Sequence, residues 1–75
     1  MANAKVIIEK TPDGGFSAYI ASCDAHLPYG LIGDGRTVEE AINDFRQAYA
    51  EMREYYANCR KQFVECDFEF EEEKI

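Results

Sequence analysis

One stretch of this sequence repeats apolar residues every three or four positions, and the stretch after it repeats them every second position. Between Val38 and about Lys61 the spacing is that of one face of an α-helix. From Phe63 to Glu71 the spacing is that of a β-strand. A helix with an apolar stripe must bury that stripe, so we expect the helix to lie on a sheet. The predicted stripe consists of Ile42, Phe45, Tyr49, Met52, Tyr56 and Cys59.

The residues before the helix predict how it begins. A glycine turn, Gly33-Asp34-Gly35, brings Thr37 to the first position. We expect the Thr37 hydroxyl to accept a hydrogen bond from the N–H of Glu40, and the Glu40 carboxylate to accept one from the N–H of Thr37. Arg60 and Lys61 are predicted in the last turn, where positive charge meets the negative end of the helix dipole.

The N-terminal part of the chain predicts three strands. Residues 5–10 are rich in β-branched side chains and are joined to an alternating segment, 16–21, by a turn that contains Pro12-Asp13-Gly14-Gly15. A loop at 22–28 precedes a third strand at 29–34. The fold class predicted from this order is α+β, β-β-β-α-β, with a small, mainly antiparallel sheet and one long helix packed on one face.

The length of the chain limits its organisation. Its 75 residues predict a single domain, 1–75. A chain of this length buries only about 60% of the surface that its unfolded form exposes, so we expect a partner to add stability. The sequence contains no bilayer-spanning apolar run and no secretory signal, which predicts a soluble, cytoplasmic protein without a membrane partner. Three irregularly spaced cysteines predict reduced, partly buried thiols.

The charge of the chain predicts what kind of partner it binds. The formal net charge is −7, and six of the fifteen acids lie between Glu65 and Glu73. Phosphate backbones are repelled by such a chain, so we expect no nucleic acid to bind this domain and a basic protein to be its electrostatic partner. The predicted last strand places a row of carboxylates on one side, namely Glu65, Asp67, Glu69 and Glu71.

The residues that could carry chemistry form no recognisable site. A Cys–His pair would need His26, the only histidine, and nothing in the sequence orients its ring. Zinc ligands are available only at unspecific spacings, at Cys23, His26, Cys59 and Cys66. Carboxylates for two-metal chemistry would come from Glu9, Asp13 and Asp34, of which the last two are ordinary turn residues. We therefore predict no catalytic residue, no cofactor and no metal site.

Two segments of the sequence carry a resemblance to a known family. Pro12-Asp13-Gly14-Gly15-Phe16-Ser17-Ala18, followed by Gly33-Asp34-Gly35-Arg36-Thr37-Val38-Glu39-Glu40-Ala41, resembles the HicB-like antitoxins, and the likeness spans residues 5 to about 70. It implies a partial ribonuclease-H-like fold and a role that is not enzymatic. Many relatives carry a Pro-x-x-Pro-Gly-like loop where this chain has residues 23–29, so their contacts at that loop cannot be transferred.

The resemblance also implies partners. Such a domain binds and covers a small, basic, mRNA-cleaving toxin of the HicA type. Relatives usually continue into a module that binds promoter DNA, which nothing in these residues supplies, so two interpretations stay open: the N-terminal part of a longer protein, or a free-standing single-domain antitoxin. We also expect a homodimer or a larger assembly. From the residues we predict the toxin contact at Glu65, Asp67, Glu69 and Glu71, with Tyr29 and Tyr55 as aromatic anchors.

Two alternative functions remain open from the sequence. The first is a metal-dependent, ribonuclease-H-like nuclease that uses Asp13 and Asp34. The second is a module that dimerises a transcriptional repressor, which is compatible with the antitoxin role.

Overall fold

Among the residues that the structure describes, four strands and one helix follow one another in the predicted order β-β-β-α-β. A computed structural model describes residues 1–73; residues 74–75 of the predicted domain lie outside this range. The elements are β1 (Ala2–Lys10), β2 (Phe16–Cys23), β3 (Ile32–Gly35), α1 (Val38–Asn58) and β4 (Cys66–Glu72). The predicted α+β class is therefore confirmed, and the arrangement is consistent with a partial ribonuclease-H-like fold.

The four strands form one mixed sheet in the order β3-β2-β1-β4. The hairpin β1–β2 is antiparallel, with Ile8 opposite Ala18, and β3 continues the sheet antiparallel to β2. After the helix the chain returns to the other side of β1, where β4 runs parallel to it, with Phe68 opposite Ala4. Strands β3 and β4 are therefore the two edges of the described sheet.

The core lies between one face of the sheet and the helix. Phe45 of α1 is fully buried and packs against Val6, Ile8 and Ala18 of the central strands. Its ring also packs edge-to-face against the ring of Phe68 in β4, with the two ring centroids 4.9 Å apart. The described helix covers only this face, so the other face of the sheet is open.

A glycine in β3 allows the helix to approach the sheet closely. A Cβ atom on Gly33 would lie 2.5 Å from the backbone nitrogen of Phe45 and would also collide with the carbonyl oxygen of Ala41. The helix backbone therefore packs directly on the β3 backbone, which is a contact that only glycine permits. This glycine positions the fully buried Phe45 in the core.

The strand limits differ from the prediction at several points. β1 and β2 extend beyond the predicted 5–10 and 16–21, to Ala2–Lys10 and Phe16–Cys23. β3 covers only Ile32–Gly35 instead of residues 29–34. The predicted strand Phe63–Glu71 was wrong at its beginning, because β4 runs from Cys66 to Glu72.

The reason for the shorter β4 lies in the segment before it. The ring of Phe63 stacks on the ring of Tyr29, at 5.1 Å and 7° between the planes. The carbonyl of Val64 accepts a hydrogen bond from the Tyr29 hydroxyl at 2.6 Å. These contacts with an aromatic side chain take the place of strand pairing.

The two ends of the helix agree with the prediction in part. The hydroxyl of Thr37 accepts a hydrogen bond from the N–H of Glu40 at 3.1 Å, as expected. The second half of the predicted capping box was wrong, because the Glu40 carboxylate accepts from the N–H of Arg36, at 3.4 Å. The helix ends at Asn58, so Arg60 and Lys61 lie beyond the last turn.

The stripe of the helix is buried along most of its length. Phe45 is fully buried, and Ile42, Tyr49, Met52 and Tyr56 are partly buried. The stripe ends before Cys59, which caps the helix and is exposed, contrary to the prediction. Of the other free thiols, Cys66 is buried and Cys23 is partly buried.

Candidate protein-binding surface

Strand β4 carries three carboxylates on the open face of the sheet, which is the face opposite the helix. Cys66, Phe68 and Phe70 alternate with these acids and pack on the helix side, so the acids point away from the helix. Residues two apart on a strand lie about 6.6 Å from each other, which spaces the carboxylates evenly. We call this surface the acidic edge; it consists of Asp67, Glu69 and Glu71, all of which are exposed.

Few positive charges compensate the acidic edge. Lys5 of β1 lies opposite Glu69, and its Nζ is 3.3 Å from a carboxylate oxygen of Glu71. Both partners of this pair are about half exposed, so water screens their attraction and the pair stabilises the fold little. The edge therefore keeps a negative field that a basic partner can meet.

A further carboxylate adjoins the acidic edge. Asp24 lines a shallow concavity together with Asp67 and Glu69. It accepts hydrogen bonds from the backbone N–H of Asn3 at 2.8 Å and from the Asn3 side-chain amide at 3.1 Å. These bonds lower the pKa of Asp24 from its usual value, which keeps the group ionised. This residue was missed in the sequence because it lies in a loop, 43 positions before Asp67.

Glu65 lies apart from the acidic edge. It precedes β4, and its carboxylate forms an ion pair with Arg53 of the helix. The Arg53 guanidinium also lies over the rings of Tyr49 and Phe63, at 5.4 and 5.7 Å. The predicted row of four carboxylates on one side therefore contains three, because the strand begins after Glu65.

Tyr29 lies in the loop that precedes β3, and its ring belongs to an aromatic cluster. Besides stacking on Phe63, its ring meets those of Tyr49 and Tyr56 at 6.5 and 6.0 Å. Burial in this cluster raises the pKa of Tyr29 to about 12. Its hydroxyl is engaged by Val64, so the contacts seen for Tyr29 are internal ones.

Tyr55 lies at the opposite edge of the sheet from β4. Its side chain is 55% exposed and lines a groove with Ile32 of β3. The neighbouring Tyr56 turns inward and donates a hydrogen bond to the carbonyl of Pro28 at 3.3 Å. Only one of these two adjacent tyrosines therefore faces inward. The six residues predicted from the sequence therefore do not form one surface, and only Asp67, Glu69 and Glu71 lie together.

The groove at the β3 edge was missed in the sequence. Ile32 is 63% exposed, whereas the preceding Leu31 is buried. The signal was present, because both residues fall in the predicted strand 29–34, and neighbours in a strand point to opposite faces and cannot both enter one core. We call this surface the apolar edge; it consists of Gly30, Leu31, Ile32, Met52 and Tyr55.

Two of the thiols weighed for chemistry, Cys23 and Cys66, lie near each other in the described part of the chain. Burial, followed by the nearby thiol of Cys23, raises the pKa of Cys66 to about 11, which keeps it protonated and unreactive. Asp13 accepts hydrogen bonds within its own turn, from the hydroxyl of Thr11 and from the N–H of Gly15. Among residues 1–73, no three side chains of the His, Cys, Asp or Glu type lie together so that they could hold a metal ion.

Two further observations concern the chain as a whole. Between residues 1 and 73, no helix combines the length and the apolar character needed to cross a bilayer. Comparisons with protein-family models, with curated proteins and with solved structures found no match to this chain.

Proposed function

We propose that this chain is a HicB-like antitoxin that acts in the cytoplasm by binding and covering a small, basic, mRNA-cleaving toxin of the HicA type. The observation that carries the proposal is the acidic edge, where Asp67, Glu69 and Glu71 stand on the open face of an edge strand. The sequence motifs at residues 12–18 and 33–41 support the same family.

In the proposed mechanism, the carboxylates of the acidic edge cover the cationic residues with which the toxin holds RNA. A nuclease that cleaves mRNA holds the phosphate backbone with Lys and Arg side chains. Carboxylates at alternate positions of β4 can pair with such cations and take the place of the phosphates. Because the chain only has to cover the toxin, none of its residues needs to react.

The free edge of β4 adds a second element of recognition. The described sheet ends at β4, so the outer backbone groups of this strand have no partner strand. Unpaired N–H and C=O groups on an edge can accept an added strand, while acidic side chains on that edge discourage strands that carry no positive charge. The edge thus selects for a basic partner.

The experiment compares two double charge reversals that change the net charge equally. In the first, Asp67→Lys and Glu69→Lys remove the acidic edge but leave Glu71 beside Lys5. In the second, Glu51→Lys and Glu54→Lys reverse two exposed acids of the helix. Affinity for a purified HicA-type toxin, and inhibition of its cleavage of RNA, are measured over a series of salt concentrations.

We expect the first variant to lose most of its affinity and the slope of affinity against salt to flatten. The helix variant should stay close to the unmodified chain. Equal losses in both variants would mean that only net charge matters, and unchanged binding in the first would contradict the acidic edge as the contact.

The nuclease alternative is tested with the chain alone. Purified protein is incubated with RNA and with an RNA–DNA hybrid in Mg²⁺ or Mn²⁺, and we expect both substrates to stay intact. Cleavage that disappears in the variant Asp13→Asn, Asp34→Asn would overturn the antitoxin proposal in favour of a metal-dependent ribonuclease.

A further inference from the structure

A row of apolar side chains crosses the open face of the sheet. Ile32 of β3 lies opposite Tyr19 of β2, and Tyr19 lies opposite Ile7 of β1. Because Gly33, the neighbour of Ile32, packs on the helix, Ile32 and its cross-strand partners point away from the helix. Ile32 is mostly exposed, and the other two residues are only partly buried. We call these three residues the apolar row; the described part of the chain leaves it uncovered.

The apolar row leads directly into the acidic edge. Ile7 lies opposite Glu71 of β4, which is exposed. The Nζ of Lys5 lies 3.3 Å from Oε2 of Glu71, and a carboxylate can accept further donors at its second oxygen. From β3 to β4, four neighbouring positions therefore carry three apolar side chains and then one acid.

Polar side chains flank the apolar row on both sides. The next cross-strand positions hold Lys5, Ser22 and Glu69 on one side and Glu9, Ser17 and Asp34 on the other. An apolar centre with a polar rim is the usual anatomy of a protein–protein contact. Lys5 is the one base in this rim, and the surplus of acids favours a basic protein as the partner.

The hydroxyl of Tyr19 does not oppose such a contact. It donates a hydrogen bond to the carboxylate of Glu9 at 3.3 Å. A partner that covers the tyrosine ring therefore leaves this hydroxyl with its acceptor, and the cost of burying an unpaired polar group is avoided.

The spacing of the row fits an α-helix that lies across the strands. Strands in a sheet are about 4.8 Å apart, so the four positions from β4 to β3 lie at about 0, 4.8, 9.6 and 14.4 Å. Residues i, i+3, i+7 and i+10 share one side of a helix and lie at about 0, 4.5, 10.5 and 15 Å along its axis. A strand laid across the sheet fits less well, because its side chains on one face are about 6.6 Å apart.

From these observations we infer that the open face binds an amphipathic helix of a basic protein, with a Lys or Arg at position i on Glu71 and apolar residues at i+3, i+7 and i+10 on the apolar row. The positive end of the helix dipole then lies over the acids. That the protein is the toxin rests on the function proposed above, whereas the match in spacing and charge does not. A second copy of this chain fits poorly, because its net charge of −7 would meet an acidic rim.

The first test compares two exposed apolar side chains, of which only one belongs to the row. Ile32→Ala and Tyr55→Ala each truncate a residue that is more than half exposed, and Tyr55 lies in the apolar edge but outside the row. We expect Ile32→Ala to raise the Kd for a purified HicA-type toxin about fivefold. The slope of affinity against salt should stay the same, since no charge is lost. Tyr55→Ala should bind like the unmodified chain.

The second test does not need the toxin. Its probe is a peptide held helical by lactam bridges on its outer side, with Lys at position i and Leu at i+3, i+7 and i+10. The control peptide has the same composition, with its leucines spread around the helix. We expect the ordered peptide to bind more tightly than the control, and to shift the NMR amide resonances of Ile7, Tyr19, Ile32 and Glu71.

The outcomes separate this inference from the proposed function. A toxin that binds the unmodified chain and Ile32→Ala equally well would overturn the inference and leave the antitoxin role standing. Binding of the ordered peptide without binding of the toxin would support the inference and count against that role. An ordered peptide that binds no better than the control, or that shifts only residues outside the open face, would also overturn the inference.

Discussion

The hydroxyl of Tyr29 donates a hydrogen bond of 2.6 Å to the backbone carbonyl of Val64. The bond joins the loop before β3 to the segment that enters β4, across 35 positions of the sequence. Because the ring of Phe63 stacks on the same tyrosine, this side chain holds the connection that leads into the acidic edge.

Replacing Tyr29 with Phe removes this hydrogen bond while keeping the ring. We expect Tyr29→Phe to lower the free energy of unfolding by about 1 kcal/mol near neutral pH, since a partly buried carbonyl loses its donor. Urea unfolding measures the change. Tyr55→Phe, at an exposed site, is the control and should leave the unfolding free energy nearly unchanged.

The same tyrosine predicts a pH dependence. Burial raises the pKa of Tyr29 from 10.0 to about 12, so the folded chain keeps the proton that the unfolded chain loses first. The stability due to this shift is complete below pH 10 and is lost as the pH rises toward 12. The advantage of the unmodified chain over Tyr29→Phe should therefore shrink in this range; an advantage that grows would contradict the burial of the hydroxyl.

Adding a methyl group at Gly33 should strongly lower the free energy of unfolding. The Cβ of Gly33→Ala would meet the backbone of Phe45 and Ala41, so the helix must move away from the sheet. We expect a loss of about 3 kcal/mol in unfolding free energy, measured by urea denaturation. Gly30→Ala is the matched control, because nothing lies within 4 Å of the Cβ that it adds.

The residue after the helix cap predicts a stabilising substitution. Arg60 has a φ of +55°, and the N–H groups of Arg60 and Lys61 donate to the carbonyls of Ala57 and Tyr56 at 3.1 and 2.9 Å. This pattern favours glycine at the left-handed position. We expect Arg60→Gly to raise the unfolding free energy by about 1 kcal/mol, measured by thermal and urea denaturation. Arg60→Ala keeps the strained backbone and should give no such gain.

Two single substitutions, each of which removes one negative charge, distinguish the acidic edge from Glu65 as the toxin contact. Glu69 lies on the open face, whereas the carboxylate of Glu65 is held by Arg53 of the helix. We expect Glu69→Gln to slow association with the toxin several-fold at low salt, because charges at the rim steer the encounter. Glu65→Gln, an equal change of charge, should leave the association rate nearly unchanged. Surface plasmon resonance measures both, and a larger effect of Glu65→Gln would place the contact on the helix side.

Local patterns predicted the fold well. The spacing of apolar residues indicated the helix, and Thr37 marked its first position, because a cap depends only on residues within one turn. The alternation after Phe63 indicated a strand but not its beginning. That limit depends on the contact between Phe63 and Tyr29, which are distant in sequence.

The candidate surfaces were less predictable for the same reason. The alternation of β4 was sufficient to bring Asp67, Glu69 and Glu71 to one face. It could not show that Arg53 draws Glu65 to the helix, or that Asp24 joins the acids from another strand end. Nor could it show that Ile32 and Tyr55, which are 23 positions apart, share one groove.

The order of strands in the sheet keeps its two edges apart. Strands β2 and β1 lie between them, so the edges are about 14 Å apart at three strand spacings. A toxin bound along β4 would therefore leave the outer edge of β3 and the groove beside it uncovered, and the captured complex would still present one free edge of the sheet.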